Sequence, residues 1–160
     1  MLPLNNSRLK KMLKAPCSSK YWQCPSAGSF KINFDGATKG NPCPTRFGGA
    51  IRNSMGIIIS IFWGNIGTST NNHTELEALI NGLSWSLQQK KTPLTVEGDS
   101  LVITNISKRI QHGEAISQVS KNRRWEGWLT ELKRLLLGTP MLQFMDVTRT
   151  GNRVADALGN

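Results

Sequence analysis

The chain has 160 residues, with 20 Lys and Arg against 10 Asp and Glu, which gives a net charge of +10 at pH 7. This length is typical of one domain with its own core, and a strongly basic chain is expected to attract phosphate-rich partners such as nucleic acid. There is no apolar run long enough for a membrane span or a secretory signal, so we expect no membrane association.

The first 27 residues form a basic segment that contains Arg8, four lysines and no acid. Because it has little apolar periodicity, we expect residues 1–27 to be a flexible arm or linker before a domain at 28–160. An acid-poor start that contains Ser also fits an organelle transit peptide, but Arg is sparse here and Lys dominates.

The three cysteines are an odd number without paired metal-ligand spacing: Cys17, Cys24 and Cys43. This pattern is typical of reduced thiols in an intracellular protein. We therefore expect the nucleus or the cytoplasm, with organelle targeting left open. The two histidines, His73 and His112, lie outside any nucleophile triad and are expected to have surface roles.

The first predicted strand ends at Asp35. Phe30, Ile32 and Phe34 alternate with Lys31, Asn33 and Asp35 from Ser29 onward, which indicates a strand with one buried side and Asp35 on the polar face. Residues 36–44 are rich in turn formers, so a tight bend is expected directly after the carboxylate. The simpler interpretation is an Asp that only opens this turn.

Next come a β-hairpin and a helix that carries Glu75. Two β-rich runs at 48–53 and 56–63 flank Ser54-Met55, and leucines at helical spacing follow from Leu76. Thr70, Asn71 or Asn72 is expected to cap this helix. Glu75 would then lie in the first turn, where the helix dipole favours an acid whatever its function. Glu77 is expected to be a solvated charge.

Asp99 ends a short strand that begins at Leu94 and leads directly into a helix. Open α/β sheets place their sites at the carboxyl ends of such strands, although an Asp there also serves as a helix cap. A further helix at 125–136, a strand at 141–147 and a short helix around Asp156 complete the chain. Strands first, followed by alternating strands and helices, predict an α/β or α+β fold.

Five short motifs in register resemble the ribonuclease H family, and more narrowly the reverse-transcriptase-like domains of plant retroelement-derived proteins. They are Asn33-Phe34-Asp35-Gly36-Ala37, Lys39-Gly40-Asn41-Pro42, Asn71-Asn72 with Glu75-Leu76-Glu77, Gly98-Asp99-Ser100, and Asn152-Arg153-Val154-Ala155-Asp156. The resemblance covers residues 28–160. It implies a ribonuclease H-like fold, with a mixed five-stranded sheet and helices on both faces.

The resemblance also implies a function: a monomeric metal-dependent endonuclease that hydrolyses the RNA strand of RNA/DNA hybrids. Asp35, Glu75, Asp99 and Asp156 would be the catalytic residues and would bind two Mg²⁺ or Mn²⁺ ions, since oxygen ligands suit these cations. Two such ions, about 3.5 to 4 Å apart, assist in-line displacement at phosphorus. The nucleic-acid backbone and minor groove would be contacted by Asn41, Thr70, Asn71 and Asn72.

Two departures from the family pattern favour an alternative function. Asp146 occupies the position, ten residues before the last aspartate, where the family usually has a mobile histidine. The chain also stops at Asn160, so we expect part of the C-terminal helix to be missing. The alternative is a domesticated nucleic-acid-binding domain with weak or no catalysis.

Overall fold

The computed structural model of the protein describes residues 18–19, 22–38 and 43–146. Its strands are β1 (Ser18–Ser19), β2 (Trp22–Gln23), β3 (Phe30–Thr38), β4 (Cys43–Arg52), β5 (Ile58–Ser69), β6 (Leu94–Gly98) and β7 (Leu142–Asp146). Strands β1 and β2 form a short antiparallel pair, and the other five form one sheet in the order β5-β4-β3-β6-β7. The pairs β3·β4 and β4·β5 are antiparallel, whereas β3·β6 and β6·β7 are parallel. The predicted mixed five-stranded sheet of an α/β fold is confirmed.

The described helices are α1 (Asn71–Gln88), α2 (Leu101–Gln111), the short α3 (Ile116–Val119) and α4 (Glu126–Gly138), with a 3₁₀ turn at Arg123–Trp125. Thr70 caps α1, since its side chain accepts a hydrogen bond from His73 N. Ser100 caps α2 in the same way. The interpretation of Asp99 as a helix cap is therefore wrong, because the following serine has that position. The helix expected around Asp156 lies outside the described residues.

One hydrophobic core lies between the sheet and helices α1, α2 and α4. It includes fully buried side chains from β3, β6 and three helices: Ile32, Phe34, Val96, Leu76, Leu79, Leu83, Ile103, Leu129 and Leu132. The leucines of α1 recur at the predicted helical spacing, so this helix packs along one stripe. This packing holds the N-terminal part of α1 against β3.

Strand β3 is buried on both sides, although its alternation predicted only one buried side. Lys31, Asn33 and Asp35 are 2%, 3% and 3% exposed. Part of the cover comes from Trp22, whose Nε1 donates to Asn33 Oδ1 at 3.0 Å and whose ring centroid lies 5.0 Å from Lys31 Nζ. A polar face can be buried when its groups find partners, which the alternation of one strand does not reveal. The domain boundary between residues 27 and 28 stays a prediction.

The tight bend expected directly after Asp35 is also wrong, because β3 continues to Thr38 and Gly36 pairs with Phe47 of β4. Gly36 is required here for close packing rather than for a turn. A Cβ at this position would lie 2.6 Å from the backbone N of Glu75 and 2.6 Å from the carbonyl carbon of Thr74. The glycine therefore lets α1 approach β3 at the level of Asp35.

Cys24 is disulfide-bonded, so the expectation that all three cysteines are reduced thiols is wrong. An odd number of cysteines leaves one unpaired but does not exclude a pair.

The described helices include no segment with the length and hydropathy of a membrane span.

Candidate active site

Three of the four predicted acids meet at the end of the sheet where β6 finishes. Asp35 lies on β3, Glu75 on α1, and Asp99 between β6 and α2. One carboxylate oxygen from each residue can be chosen such that all three lie within 4.8 Å of one another. The fourth acid, Asp156, lies outside the described residues.

Glu75 is the fifth residue of α1, which is further into the helix than predicted, and the first turn carries no acid. The stabilisation of an acid by the helix dipole falls off within the first turn. The dipole therefore gives a weaker explanation of this glutamate than the sequence indicated. Its position is instead explained by Gly36, which allows the backbone around Glu75 to lie against β3.

The cluster is buried, and this changes the ionisation of Glu75. Asp35 and Glu75 are 3% and 7% exposed, and Asp99 is partly buried. The pKa of Glu75 is raised from 4.5 to about 10, chiefly by desolvation, and also by the charge of Asp35, a hydrogen bond with Asp35 and the charge of Asp99. A hydrogen bond with the backbone of Gly36 acts in the opposite direction. Without a cation, Glu75 therefore keeps its proton at neutral pH.

The donor set of these residues fits a divalent cation. Glu75 Oε2 is buried and has no hydrogen-bond partner among the described residues. A buried polar atom without a partner is costly, and a cation would supply the missing interaction. Because carboxylate oxygens are the ligands that Mg²⁺ and Mn²⁺ prefer, Asp35, Glu75 and Asp99 are suited to hold such an ion.

The predicted nucleic-acid contacts lie at the start of α1. Thr70, Asn71 and Asn72 are all exposed there, a few residues before Glu75. Thr38 Oγ1 donates a hydrogen bond to Asn71 Oδ1, across 33 residues of sequence. This contact fixes the amide of Asn71 and directs its NH₂ group away from Thr38. Asn41, the other predicted contact, lies outside the described residues.

Asp146 is the last residue of β7, and its backbone pairs with Gly98, the residue before Asp99. The backbone of Asp146 is therefore close to the candidate site, while its side chain lies outside the part of the chain that the structure describes. Its proposed equivalence to the family histidine stays a prediction.

Sequence reasoning missed two features around the site. His73, expected at the surface, has a largely buried ring: its centroid lies 3.9 Å from that of Trp128, and Nδ1 lies 2.5 Å from Ser69 Oγ. Glu77 is also less solvated than expected, since its Oε1 lies 3.6 Å from His73 Nε2. The second missed feature is a set of buried polar side chains, namely Lys31, Asn33 and Glu97. One sequence signal could have indicated these buried polar residues. Asn33 and Glu97 each lie two residues before a predicted site acid, Asp35 and Asp99 respectively.

Comparison with known families decides the identity of the fold. A family model described as reverse transcriptase-like matches residues 33–160. The chain belongs to the reverse transcriptase-like ribonuclease H family. A provisionally named ribonuclease H protein of Arabidopsis thaliana is 31% identical over 140 residues, and a ribonuclease HI of Halobacterium salinarum is 29% identical over 133 residues. These alignments cover 87% and 83% of the chain but only 21% and 63% of the two relatives.

Solved structures of ribonucleases H1 have the same fold. The crystal structure of the Halobacterium salinarum enzyme has a TM-score of 0.70 and 27% identity, over 82% of this chain and 95% of that one. The LC11 ribonuclease H1, solved in complex with an RNA/DNA hybrid, has a TM-score of 0.69 and 26% identity, over 82% of this chain and 94% of that one. The predicted resemblance and fold are thus confirmed.

Proposed function

We propose that this family member is a metal-dependent endonuclease that hydrolyses the RNA strand of RNA/DNA hybrids. The observation that carries the proposal is the meeting of Asp35, Glu75 and Asp99, whose oxygens lie within 4.8 Å of one another. The LC11 relative, solved with an RNA/DNA hybrid, supports the choice of substrate. The two ribonuclease H relatives, which align with 87% and 83% of the chain, support the assignment to this class of hydrolase.

The role of the acids in this proposal is to hold Mg²⁺ or Mn²⁺, with Asp156 as the fourth ligand. Divalent cations in such a site supply an activated water and neutralise charge at the phosphate. The hydrogen bond from the Gly36 backbone orients the Glu75 carboxylate, and the burial of Asp35 excludes bulk water from one side. Because Glu75 is buried beside Asp35 and Asp99, its raised pKa means that it releases its proton at neutral pH only when a cation compensates the negative charge.

The start of α1 is the proposed contact for the nucleic-acid backbone. A helix N-terminus presents unpaired N–H groups and a positive dipole end to phosphate. Thr70, Asn71 and Asn72 are exposed at this end, and Thr38 holds the Asn71 amide with its NH₂ group available to donate. Recognition of the 2′-hydroxyl would distinguish RNA from DNA at the strand that is cut.

A second candidate function is nucleic-acid binding with weak or no catalysis. Asp146 favours it, because an ionised aspartate at this position adds negative charge where a histidine would shuttle a proton. The net charge of +10 would maintain affinity for nucleic acid in either case. The two candidates differ in whether a hybrid is cleaved, so a cleavage assay separates them.

The test is cleavage of an RNA/DNA hybrid labelled on either strand, with Mg²⁺ or Mn²⁺ and with a chelator. We expect cation-dependent cleavage of the RNA strand by the wild type and none by Asp99→Asn or Glu75→Gln. Glu77→Gln is the matched control, since it makes the same chemical change two residues away on α1 and should keep the activity. Equal cleavage by Glu75→Gln and the wild type would refute the proposed site. Binding of the hybrid without cleavage by the wild type would favour the second candidate.

A further inference from the structure

A buried set of polar side chains, which we call the Lys31–Asn33–Glu97 set, links β3 to β6. Lys31 Nζ donates to Glu97 Oε1, and Asn33 Nδ2 donates to Glu97 Oε2 at 3.0 Å. All three residues are nearly inaccessible, with exposed fractions of 2%, 3% and 5%. Glu97 is thus bonded on both of its oxygens, by partners that lie 64 and 66 residues away in the sequence.

The same set is held from its other side by the segment that contains β2. Trp22 Nε1 donates to Asn33 Oδ1 at 3.0 Å, so the Asn33 amide is bonded at both ends. Lys31 Nζ also donates to the carbonyl oxygen of Gln23 at 2.7 Å. Side chains with this many fixed partners have little freedom to change rotamer, which makes the set a rigid connection.

The position of this connection relative to the acids is informative. Asn33 and Glu97 are the last registered pair of the parallel β3·β6 ladder. Beyond them β3 continues only against β4, and β6 against β7. Asp35 and Asp99 follow Asn33 and Glu97 by two residues, so the Asn33–Glu97 hydrogen bond joins the two strands just before the candidate metal site.

Charge balance supports the same role. Asn33 lies on the same face of β3 as Asp35, since side chains alternate along a strand. An ionised Glu97 would add a further negative charge below the acid cluster. Its ion pair with Lys31, buried at 3% and 6% side-chain exposure, neutralises that charge. The acid cluster of Asp35, Glu75 and Asp99 then remains as the group whose negative charge a cation can neutralise.

We infer that Lys31, Asn33 and Glu97 are positioning residues that fix the spacing of Asp35 and Asp99 for cation binding. This inference rests on the proposed function, because it assumes that these two acids hold the metal. Metal sites require their ligands within about 0.5 Å of the productive geometry. Groups hydrogen-bonded to metal ligands typically contribute about 10- to 100-fold in metal affinity, and we take the lower end of this range for residues that act through the strands that carry the ligands.

The experiment measures Mn²⁺ affinity of the full 160-residue chain, from the electron paramagnetic resonance signal of free Mn²⁺, without nucleic acid. Asn33→Ala removes the Asn33–Glu97 hydrogen bond and leaves the Lys31–Glu97 ion pair in place. We expect it to weaken Mn²⁺ binding by about 10-fold. The matched control is Thr139→Val, which removes a buried hydrogen bond of 2.8 Å to Leu135 O at the end of α4. This control should lower the thermal midpoint and leave the Mn²⁺ affinity unchanged.

A second variant keeps the test decisive if Asn33→Ala does not fold. Lys31→Met combined with Glu97→Met removes both charges together, which avoids an unpaired buried charge, and it should also weaken Mn²⁺ binding by about 10-fold. Wild-type Mn²⁺ affinity in a folded Asn33→Ala protein, or in the folded double variant, would overturn the inference and leave the proposed function intact. A wild-type chain that binds no Mn²⁺, or that binds it no better than Glu75→Gln, would overturn both.

Discussion

The burial of Glu75 predicts that the metal-free protein loses stability as the pH rises. The folded-state pKa of Glu75, about 10, lies above the unfolded value of 4.5. Between these values the folded state keeps a proton that the unfolded state has released, so the free energy of unfolding falls with increasing pH. From pH 4.5 to pH 7 the loss is about 3 kcal/mol at about 1.4 kcal/mol per pH unit.

Glu75→Gln removes this titration while keeping the size and shape of the side chain. In the presence of a chelator, we expect the variant to be up to about 3 kcal/mol more stable than the wild type at pH 7, and nearly equal to it below pH 4.5. Urea unfolding followed by tryptophan fluorescence at several pH values measures the difference. Mg²⁺ should stabilise the wild type more than the variant, because a ligand that binds only the folded state stabilises it.

The control for this prediction is Glu77→Gln on the same helix. It should change the free energy of unfolding by no more than about 0.5 kcal/mol at pH 7 and pH 8. A wild type whose metal-free stability is constant or rises from pH 5 to pH 8 would refute the reasoning. So would a Glu75→Gln variant that is no more stable than the wild type at pH 7.

Three further predictions concern packing, binding and turnover. Gly36→Ala should cost about 1 to 3 kcal/mol in thermal or urea unfolding, since its Cβ would meet the backbone of α1 at 2.6 Å. Affinity for a hybrid, measured by fluorescence anisotropy, should fall linearly with salt on a log–log plot, because cations that contact phosphate release counterions; an affinity independent of salt would contradict this role of the charge of +10. Asp146→His should raise the multiple-turnover cleavage rate by about 10- to 100-fold, on the scale of general acid–base groups. A variant no faster than the wild type in both Mg²⁺ and Mn²⁺ would show that the histidine position does not limit turnover.

Local patterns were sufficient to predict most of the described strands and helices, whereas the mixed five-stranded sheet was implied by the family resemblance. The alternation of Phe30, Ile32 and Phe34 and the leucine spacing after Glu75 each arise within one element, where neighbouring residues share the same geometry. Which acids would form one site was implied by the resemblance to the ribonuclease H family, since each acid taken alone also has a local structural explanation. The local expectations needed no knowledge of contacts between distant residues.

Several of the features that sequence did not predict depend on such distant contacts. Lys31 and Glu97 are 66 residues apart, and Thr38 and Asn71 are 33 apart. Gly36 has the appearance of a turn residue in the sequence, yet its function is to admit the backbone of α1. A single strand pattern shows that a residue is polar, but the partner that permits its burial lies on another element.

The overall charge of the chain and the local charge of the acid cluster have opposite signs. The chain as a whole is strongly cationic, with a net charge of +10, which attracts polyanions from solution. Some surface cations form ion pairs, such as Arg109 with Glu114 at 2.6 Å and Arg134 with Glu131 at 2.7 Å. Such exposed pairs contribute little to stability, and they do not change the excess of cations over acids. At the carboxyl end of β6 the local charge is negative, because Asp35, Glu75 and Asp99 meet there. The nearby Lys31 is paired with Glu97. Under the proposed function, the cationic surface would attract a phosphodiester substrate and the acidic cluster would attract divalent cations, so the two charges have different partners.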